Sequence, residues 1–409
     1  MLNSTLEKWE EKTLKDLCEI EIGKTPNRST PKFWDKELIT DNTWVSIADL
    51  NNTVNKEVFT SKERVSDIGA SNIKIVKQGT LLLSFKLTIG RVAFAGKDLY
   101  TNEAIAQLPI KNEEEIDKNY LYYYLQYFNY DELLKGDVKV KGKTLNKEKL
   151  KSLPVKYPKI EEQQRIVGIL DEAFENIEKA KQNTLQNLNN AKELFENCIE
   201  NNFTNLTSLY PIKTLSDIAV IKGGKRLPKG QKLTKEITEH PYLRVTDFTI
   251  DGTINTDDLH YISDNIYEQI KNYTITSKDL YITIVGATIG KSGIIPKELD
   301  GANLTENACK LIFNMDVCNK YVYYFTKTKS FNEQSFGNTK ITAVPKLALT
   351  RLATIKLPVP NLPKQQKIVV QLDELQEQTK KLEQFYTQKL QDLDELKQSI
   401  LQKAFKGEL

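Results

Sequence analysis

The sequence predicts an α+β protein with two β-rich globular domains, each followed by a long helix. Three observations support this fold class: several motifs occur twice at a constant spacing, short apolar runs bounded by glycine lie between them, and a long helical pattern ends each copy. We expect the two helices to pair as an antiparallel coiled coil with pseudo-twofold symmetry, because each helix alone would expose an apolar stripe to water.

The internal repeat links segments that lie 200 to 202 residues apart. The matching segments are residues 13–17 and 214–218, 88–91 and 288–291, 120–124 and 321–325, and 163–164 and 365–366. A register this constant across several motif pairs indicates two copies of one structural unit.

The globular part of each copy is predicted to be mainly strand. Apolar runs with β-branched and aromatic residues predict strands over 79–85 and 90–96, and over 279–285 and 293–296. Short helices are expected over 117–128 and 320–325, where tyrosines cluster. These aromatic rings are expected to pack in the core and at its rim rather than to form a stacking platform for nucleic acid.

Prolines precede each long helix, where proline is well tolerated. The helices are predicted over roughly 161–203 and 364–406, and each would be about 60 Å long. Antiparallel pairing is favoured because it leaves each domain at the start of its own helix. The predicted boundaries are 1–158 for the first domain, 159–203 for the central helix, 204–360 for the second domain and 361–409 for the distal helix.

The total charge does not by itself indicate a nucleic-acid binder, since the 58 Lys and Arg residues are nearly balanced by 55 Asp and Glu residues. A local basic face remains possible.

The four cysteines have no C-x-x-C spacing, which suits a reducing cytoplasm. No signal peptide, membrane span or clustered zinc ligands are predicted.

No known catalytic motif is present, so the chain is predicted to be a non-catalytic binder. Residues 286–292 resemble a phosphate-binding loop, but three residues rather than four separate the glycines. A structural or DNA-facing turn is therefore predicted there.

Basic residues recur on paired, glycine-rich polar loops at matching positions of the two copies. Such loops suit phosphate contact together with reading of base edges, although an ordinary lysine surface explains any single residue. The predicted DNA contacts are Lys24, Arg28, Lys32, Lys86, Arg91, Lys141 and Lys143 in the first copy, and Lys225, Arg226, Lys229, Lys291 and Lys340 in the second.

With these motifs the chain resembles the specificity subunits of type I restriction–modification systems, the HsdS family. The resemblance covers the whole chain. It is carried by the duplicated Gln-Gln helix starts, the paired Thr-Ile-Gly-basic turns, the Gly-Lys-Thr and Gly-Asn-Thr segments, the opening residues 9–17 and the terminal residues 404–409.

The resemblance implies that each globular domain is a target-recognition domain for one half of a bipartite, asymmetric site in double-stranded DNA. The paired helices would act as a spacer and dock two modification (methyltransferase) subunits, and restriction subunits could join them. S-adenosylmethionine, ATP and Mg²⁺ would belong to those partners, with no cofactor in this chain.

The residues expected at the spacer and docking surface are Gln163, Gln164, Leu170, Phe174, Gln365, Gln366, Leu372 and Leu375. The glutamine pairs are expected to serve the junction of domain and helix, or a partner's contact there, before any contact with DNA. Two alternatives stay open: a non-catalytic adaptor whose duplicated domains bind peptides or glycans, and an enzyme with an unrecognised site.

Overall fold

The structure is a computed structural model that describes residues 9–134, 145–314, 316–337 and 346–409. The chain divides into two compact units. The first unit contains residues 1–183 and 389–409, and the second contains residues 184–388. The boundary between the two units falls inside each long helix, whereas the predicted domain boundaries lie close to the ends of the helices.

The first copy contains short strands, short helices and one long helix. Its strands are β1 (Glu10–Thr13), β2 (Glu21–Ile22), β3 (Thr43–Val45), β4 (Glu57–Val58), β5 (Glu63–Arg64), β6 (Leu81–Ser84), β7 (Val92–Ala95), β8 (Tyr100–Thr101), β9 (Ile105–Leu108) and β10 (Pro154–Tyr157). Its helices are α1 (Leu14–Leu17), α2 (Asp67–Ala70), α3 (Lys118–Tyr127), α4 (Lys147–Lys151) and α5 (Ile160–Thr207).

The first unit is built on a five-stranded sheet with the order β2-β9-β6-β7-β4, beside a three-stranded sheet with the order β5-β3-β8. The central strand β6 is buried on both faces. Leu81 and Leu83 face one core, whereas Leu82 between them faces another. Because side chains alternate along a strand, this two-sided burial explains the unbroken apolar run in the sequence.

A two-stranded ribbon closes the first unit just before the long helix. Strands β1 and β10 pair antiparallel, with Glu10 opposite Tyr157 and Thr13 opposite Pro154. Thr13 also begins α1, and its backbone N–H donates to the Asp16 carboxylate at 3.1 Å. Bonds from Thr13 lower the pKa of Asp16, because hydrogen bonds to a carboxylate favour its charged form.

The second copy has a similar, but not identical, element order in the part of the chain that the structure describes. Its strands are β11 (Ile212–Thr214), β12 (Ala219–Gly223), β13 (Pro241–Leu243), β14 (His260–Tyr261), β15 (Thr274–Ile275), β16 (Leu280–Thr283), β17 (Ser292–Gly293), β18 (Ala302–Leu304), β19 (Ala308–Phe313) and β20 (Lys356–Pro358). Its helices are α6 (Leu215–Ile218), α7 (Asp264–Ile270), α8 (Asn319–Phe325), α9 (Lys329–Phe336), α10 (Leu349–Ala353) and α11 (Leu362–Lys406).

Two four-stranded sheets form the second unit, with the orders β12-β19-β16-β17 and β14-β13-β18-β15. Strands β11 and β20 form the closing ribbon. Strand β16 is again buried on both faces, since Leu280 and Ile282 enter one core and Tyr281 enters another.

The predicted strand over 293–296 is wrong at its C-terminal end, because β17 ends at Gly293. The next backbone N–H, that of Ile294, donates at 2.9 Å to the carbonyl of Gly252 in a loop. Pro296 has no N–H with which to continue a ladder. The loop contact and the proline together end the strand early.

The two long helices run antiparallel within each unit. In the first unit the start of α5 shares a buried core with the end of α11, through Ile166, Leu170, Leu401, Ala404 and Phe405. In the second unit the end of α5 shares a core with the start of α11, through Ile199, Phe203, Leu206, Ile368 and Leu372. The predicted fold class, with β-rich globular parts and long antiparallel helices, is thereby confirmed.

The clustered tyrosines pack as predicted. Tyr120, Tyr123 and Tyr124 of α3 are buried in the core of the first unit, and Tyr321 and Tyr324 of α8 are buried in that of the second. Among the helices of the described residues, none has the length and apolar content needed to cross a membrane.

Candidate nucleic-acid interface

The first basic loop, residues 23–32, follows β2 and is anchored on the last residue of β8. The N–H of Lys24 donates to the carbonyl of Thr101 at 2.9 Å, and the Trp44 indole N–H donates to the carbonyl of Lys24 at 3.3 Å. A Cβ atom on Gly23 would lie 2.2 Å from the carbonyl oxygen of Asn102. Only glycine fits so close an approach of two backbones.

Arg28 is held at the surface of this loop by aromatic and acidic neighbours. Its guanidinium carbon lies 4.1 Å from the ring centroid of Trp34 and 4.7 Å from that of Trp44. It donates to both carboxylate oxygens of Glu63, at 3.1 Å for the longer bond. This pairing raises the pKa of Arg28. The planar cation is therefore stacked and oriented while more than half of its side chain remains exposed, at 54%.

The other two predicted contacts on this loop also lie at the surface. The Lys24 ammonium is 3.3 Å from the carbonyl of Asn72. The Lys32 ammonium lies 5.6 Å from the ring centroid of Phe33, and its residue is exposed. The first basic loop thus presents three cations on an anchored backbone.

The second basic loop, residues 223–232, is anchored in the same way. The N–H of Lys225 donates to the carbonyl of Leu304 at 2.8 Å, and the Tyr242 hydroxyl donates to the carbonyl of Lys225 at 2.8 Å. A Cβ atom on Gly224 would lie 2.1 Å from the carbonyl oxygen of Thr305. Tyr242 of β13 thus does for this loop what Trp44 of β3 does for the first.

The cations of the second basic loop point outward. Lys225, Arg226 and Lys229 are exposed, and the Lys225 ammonium lies 5.4 Å from the ring centroid of Tyr273. Arg226 donates to Glu306 at 2.6 Å while its side chain stays 79% exposed. Burial alone would raise the pKa of Glu306, but hydrogen bonds led by that from Arg226 bring it below its usual value.

The Thr-Ile-Gly-basic turns are tight connections after β6 and β16, as predicted for residues 286–292. Their last residues reach inward: Arg91 donates to the carbonyl of Ile47 at 3.2 Å, and Lys291 donates to that of Phe248 at 2.9 Å. Both cations therefore clamp a neighbouring loop of their own unit. Lys86, just before its turn, is half-buried, with its ammonium 5.1 Å from the Phe85 ring centroid.

Three predicted DNA contacts, Lys141, Lys143 and Lys340, lie outside the described residues. The Gly-Lys-Thr segment and all but the first residue of the Gly-Asn-Thr segment lie outside them too.

Gln163 and Gln365 join each globular part to its long helix. Both side chains are fully buried, with 0% exposure. The Gln163 amide accepts from the N–H of Asp117 at 2.9 Å and donates to the carbonyls of Glu115 and Pro158, each at 2.9 Å. One amide thereby satisfies three backbone groups that would otherwise be buried without partners.

Gln365 repeats this geometry in the second unit. Its amide accepts from the N–H of Cys318 at 2.9 Å and donates to the carbonyls of Asp316 at 3.2 Å and Pro360 at 2.8 Å. The neighbouring glutamines, Gln164 and Gln366, are exposed on the helix surface. The two members of each Gln-Gln pair therefore occupy different environments.

The apolar residues predicted for the spacer are buried to different degrees. Leu170 and Leu372 are buried in the cores shared by the two helices, whereas Phe174 and Leu375 are half-buried. The Lys397 ammonium of α11 lies 5.0 Å from the ring centroid of Phe174.

A second link between domain and helix was missed in the sequence. The Tyr324 hydroxyl of α8 donates to Asp373 of α11, and the Tyr123 hydroxyl of α3 donates to Asp171 of α5. Burial is the larger cause of the raised pKa of Tyr324, and the hydrogen bond to Asp373 raises it further. The signal was present, because the tyrosine clusters and the Leu-Asp-Glu triplets recur at the repeat spacing.

The fold and these loops define a class of protein with two copies of one α+β unit, each carrying an anchored basic loop and a long helix. A family model described as the type I restriction modification DNA specificity domain matches residues 6–187 and again residues 208–392. The chain therefore belongs to the type I restriction–modification DNA specificity family and carries two copies of its domain. The predicted family is confirmed.

Curated relatives are specificity subunits. The chain is 26% identical over 323 residues to the type I restriction enzyme MjaIX specificity subunit of Methanocaldococcus jannaschii, covering 72% of this chain and 71% of that protein. It is 27% identical over 168 residues to the EcoBI specificity subunit of Escherichia coli, covering 41% of this chain and 35% of that protein. Two copies of a DNA specificity domain fit the recognition of a bipartite target.

Solved structures share the fold. A chain from work on complex assembly and conformational transition of the type I R-M system superimposes with a TM-score of 0.76 at 17% identity, covering 98% of both chains. The HsdS subunit from Thermoanaerobacter tengcongensis superimposes with a TM-score of 0.57 at 18% identity, covering 98% of this chain and 97% of that one.

Proposed function

We propose that this chain selects the DNA target of a type I restriction–modification complex, with each globular domain reading one half of a bipartite, asymmetric site. The observation that carries the proposal is the pair of basic loops. Each loop is held by an equivalent backbone hydrogen bond and by a hydrogen bond from an aromatic side chain of the next strand. Both loops keep their cations at the surface.

Rigid cationic loops suit contact with the phosphate backbone. Such contacts release counterions, so the affinity should fall steeply as the salt concentration rises. Phosphate contacts position a protein on the duplex, whereas polar side chains that reach base edges specify sequence. The two domains would then read different half-sites because their loops differ outside the repeated motifs.

The surface cations of the two basic loops are our first candidates for phosphate contact: Lys24, Arg28, Lys32, Lys225, Arg226 and Lys229. Lys86, Lys141, Lys143 and Lys340 stay predictions. Arg91 and Lys291 also stay predictions, although their hydrogen bonds to loop carbonyls favour a structural role.

We further propose that the paired helices set the distance between the half-sites and dock two methyltransferase subunits, to which restriction subunits could add. Exposed Gln164 and Gln366 suit such docking better than the buried Gln163 and Gln365, which serve the domain–helix junction. The boundaries at 158, 203 and 360 mark the proposed recognition and spacer parts.

The chain is proposed to be non-catalytic, with S-adenosylmethionine, ATP and Mg²⁺ bound by partner subunits. This proposal rests on the lack of a known catalytic motif in the sequence.

All four cysteines are free thiols, which suits the cytoplasmic location proposed from their spacing.

Methylation mapping of the host genome tests the proposed function. Deleting the gene for this chain should remove methylation from one split motif and leave other methylated motifs intact. Persistence of every methylated motif after the deletion would contradict the proposal.

A further inference from the structure

An exposed isoleucine stands at the same place in the two globular parts, in the loops that precede β3 and β13. Ile39 is 78% exposed and Ile237 is 84% exposed. The sequences around them match, with Lys-Glu-Leu-Ile-Thr at residues 36–40 and Lys-Glu-Ile-Thr at residues 235–238. A single exposed apolar side chain needs no explanation. One that recurs in both copies of a repeat does, because each copy leaves the same apolar group in water.

The loop in the first unit is firmly held. The Thr40 hydroxyl donates to the carbonyl of Val65 at 3.0 Å, and the Thr40 N–H donates to the Asp35 carboxylate at 2.6 Å. Arg64 donates to the carbonyl of Leu38 at 2.7 Å. Ile39 therefore projects from a loop whose backbone is fixed on both sides of it.

The loop in the second unit uses the same anchor. The Thr238 hydroxyl donates to the carbonyl of Ile262 at 2.8 Å, and the Thr234 N–H donates to the carbonyl of Tyr261 at 3.0 Å. A side chain presented by a held loop binds its partner with a smaller ordering penalty, because the loop backbone is already fixed. The two isoleucines are thus preorganised for contact with another molecule.

Positive charge around the first loop indicates which kind of molecule it meets. A groove of about 330 Å³ is lined by Leu38, the chain neighbour of Ile39, and by Arg28 and Pro31 of the first basic loop. Its charged lining has four cations against two carboxylates: Arg28, Lys36, Lys62, Arg64, Asp35 and Glu63. A polyanion that also offers apolar surface suits such a site, and duplex DNA has both phosphates and base faces. In the second unit, Lys235 stands two residues before Ile237; its ammonium pairs with Asp258 at 2.8 Å while its side chain stays 73% exposed, and Glu236 lies between the two residues.

We propose that Ile39 and Ile237 are wedges that enter the DNA groove and press between stacked base pairs, one in each half-site. Isoleucine is among the side chains that architectural proteins insert between base steps. The use of one residue in both copies suits a contact that does not depend on base identity. This inference rests on the proposed function, since it requires that both domains bind DNA.

Fluorescence of 2-aminopurine tests the wedge. The full-length chain, in the complex in which it is isolated, is titrated with its mapped target carrying the probe at successive positions of one half-site. The wild-type complex should increase the fluorescence at one base step per half-site, because unstacking relieves quenching. Ile39→Ala should abolish the increase in one half-site only, and Ile237→Ala in the other, with specific binding weakened roughly tenfold each.

Matched controls are Val54→Ala and Val220→Ala, which shorten other exposed β-branched residues of the same units, at 64% and 54% exposure. They should leave both readouts unchanged. The salt dependence should stay the same in all variants, since isoleucine contacts no phosphate. If the wild-type complex binds no specific DNA, the proposed function itself fails.

Two other results would overturn the wedge alone. One is specific binding by the wild type with no fluorescence increase anywhere in the half-sites. The other is an Ile39→Ala variant that keeps both DNA binding and the fluorescence increase. If that variant loses a co-purifying protein, the isoleucine contacts this protein and not DNA.

Discussion

At the scale of single residues, the buried glutamines at the helix starts hold each domain to its helix. Gln365 satisfies the N–H of Cys318 and two carbonyls, and Gln163 does the same in the other unit. Losing a partner for a buried polar group costs about 1–3 kcal/mol, more than most surface substitutions.

The substitution Gln365→Leu should therefore lower the free energy of unfolding by about 1–3 kcal/mol, because leucine fills the space but leaves the Cys318 N–H unsatisfied. Urea unfolding of the full chain measures this. Gln366→Leu, at the exposed neighbour, is the control and should change the free energy by less than about 0.5 kcal/mol. Equal stabilities for the two variants would refute the junction role.

Lys225→Ala combined with Arg226→Ala should weaken DNA binding and flatten its salt dependence. Each lost phosphate contact should reduce the slope of log K against log salt by about 0.9. Fluorescence titration of the assembled complex at several salt concentrations gives the slope.

Lys278→Ala combined with Lys297→Ala is the control for that slope, since both lysines are exposed in the same unit and lie away from the basic loop in sequence. An unchanged slope in the Lys225 and Arg226 variant would remove these residues from the phosphate contacts.

At the scale of elements, the long helices are proposed to measure the gap between half-sites. Inserting one heptad into each helix, between residues 183 and 184 and between residues 388 and 389, keeps the apolar seam in phase. Each helix then grows by about 10 Å, so the preferred gap should widen by about three base pairs.

Methylation mapping should show the same half-sites with the wider gap. Replacing seven residues at each point by a different heptad of the same pattern is the control, and it should keep the original gap. Methylation of the original motif by the lengthened chain would rule out the spacer role.

The elements could be predicted from the sequence where the repeat and the local signals agree. Thr214 and Asp217 show why: the Thr214 N–H donates to Asp217 at 2.7 Å, and the Asp217 N–H donates back to the Thr214 hydroxyl at 3.3 Å. This capping box needs only residues three apart. Helix α5 likewise starts one residue from its predicted position and ends four residues beyond it.

Contacts across the fold could not be predicted in this way. The carbonyls that Arg91 and Lys291 bind, those of Ile47 and Phe248, lie more than 40 residues away in the chain. The positions of these carbonyls depend on how the sheets pack. The sequence therefore could not distinguish Arg91 and Lys291, which bind loop carbonyls, from cations at the surface. The early end of β17 has the same cause in part, since the N–H of Ile294 donates to the carbonyl of Gly252, which is distant in the chain; the other cause, Pro296, is local.

At the scale of the whole molecule, the duplication lets one chain carry two readers. Because the two copies keep the same junction and loop anchors but differ in sequence outside the repeated motifs, we expect that each recognition domain can be exchanged without disturbing its scaffold. This expectation follows from the central claim of the proposed function, that residues 1–158 and residues 204–360 each read one half-site.

Domain replacement followed by methylation mapping tests this claim most directly. Residues 1–158 are exchanged for the matching domain of another family member whose target is known, and the rest of the chain is kept. The methylated motif should then contain one new half-site, while the second half-site and the gap remain those of the original chain. A motif in which both half-sites change, or in which neither does, would contradict the account.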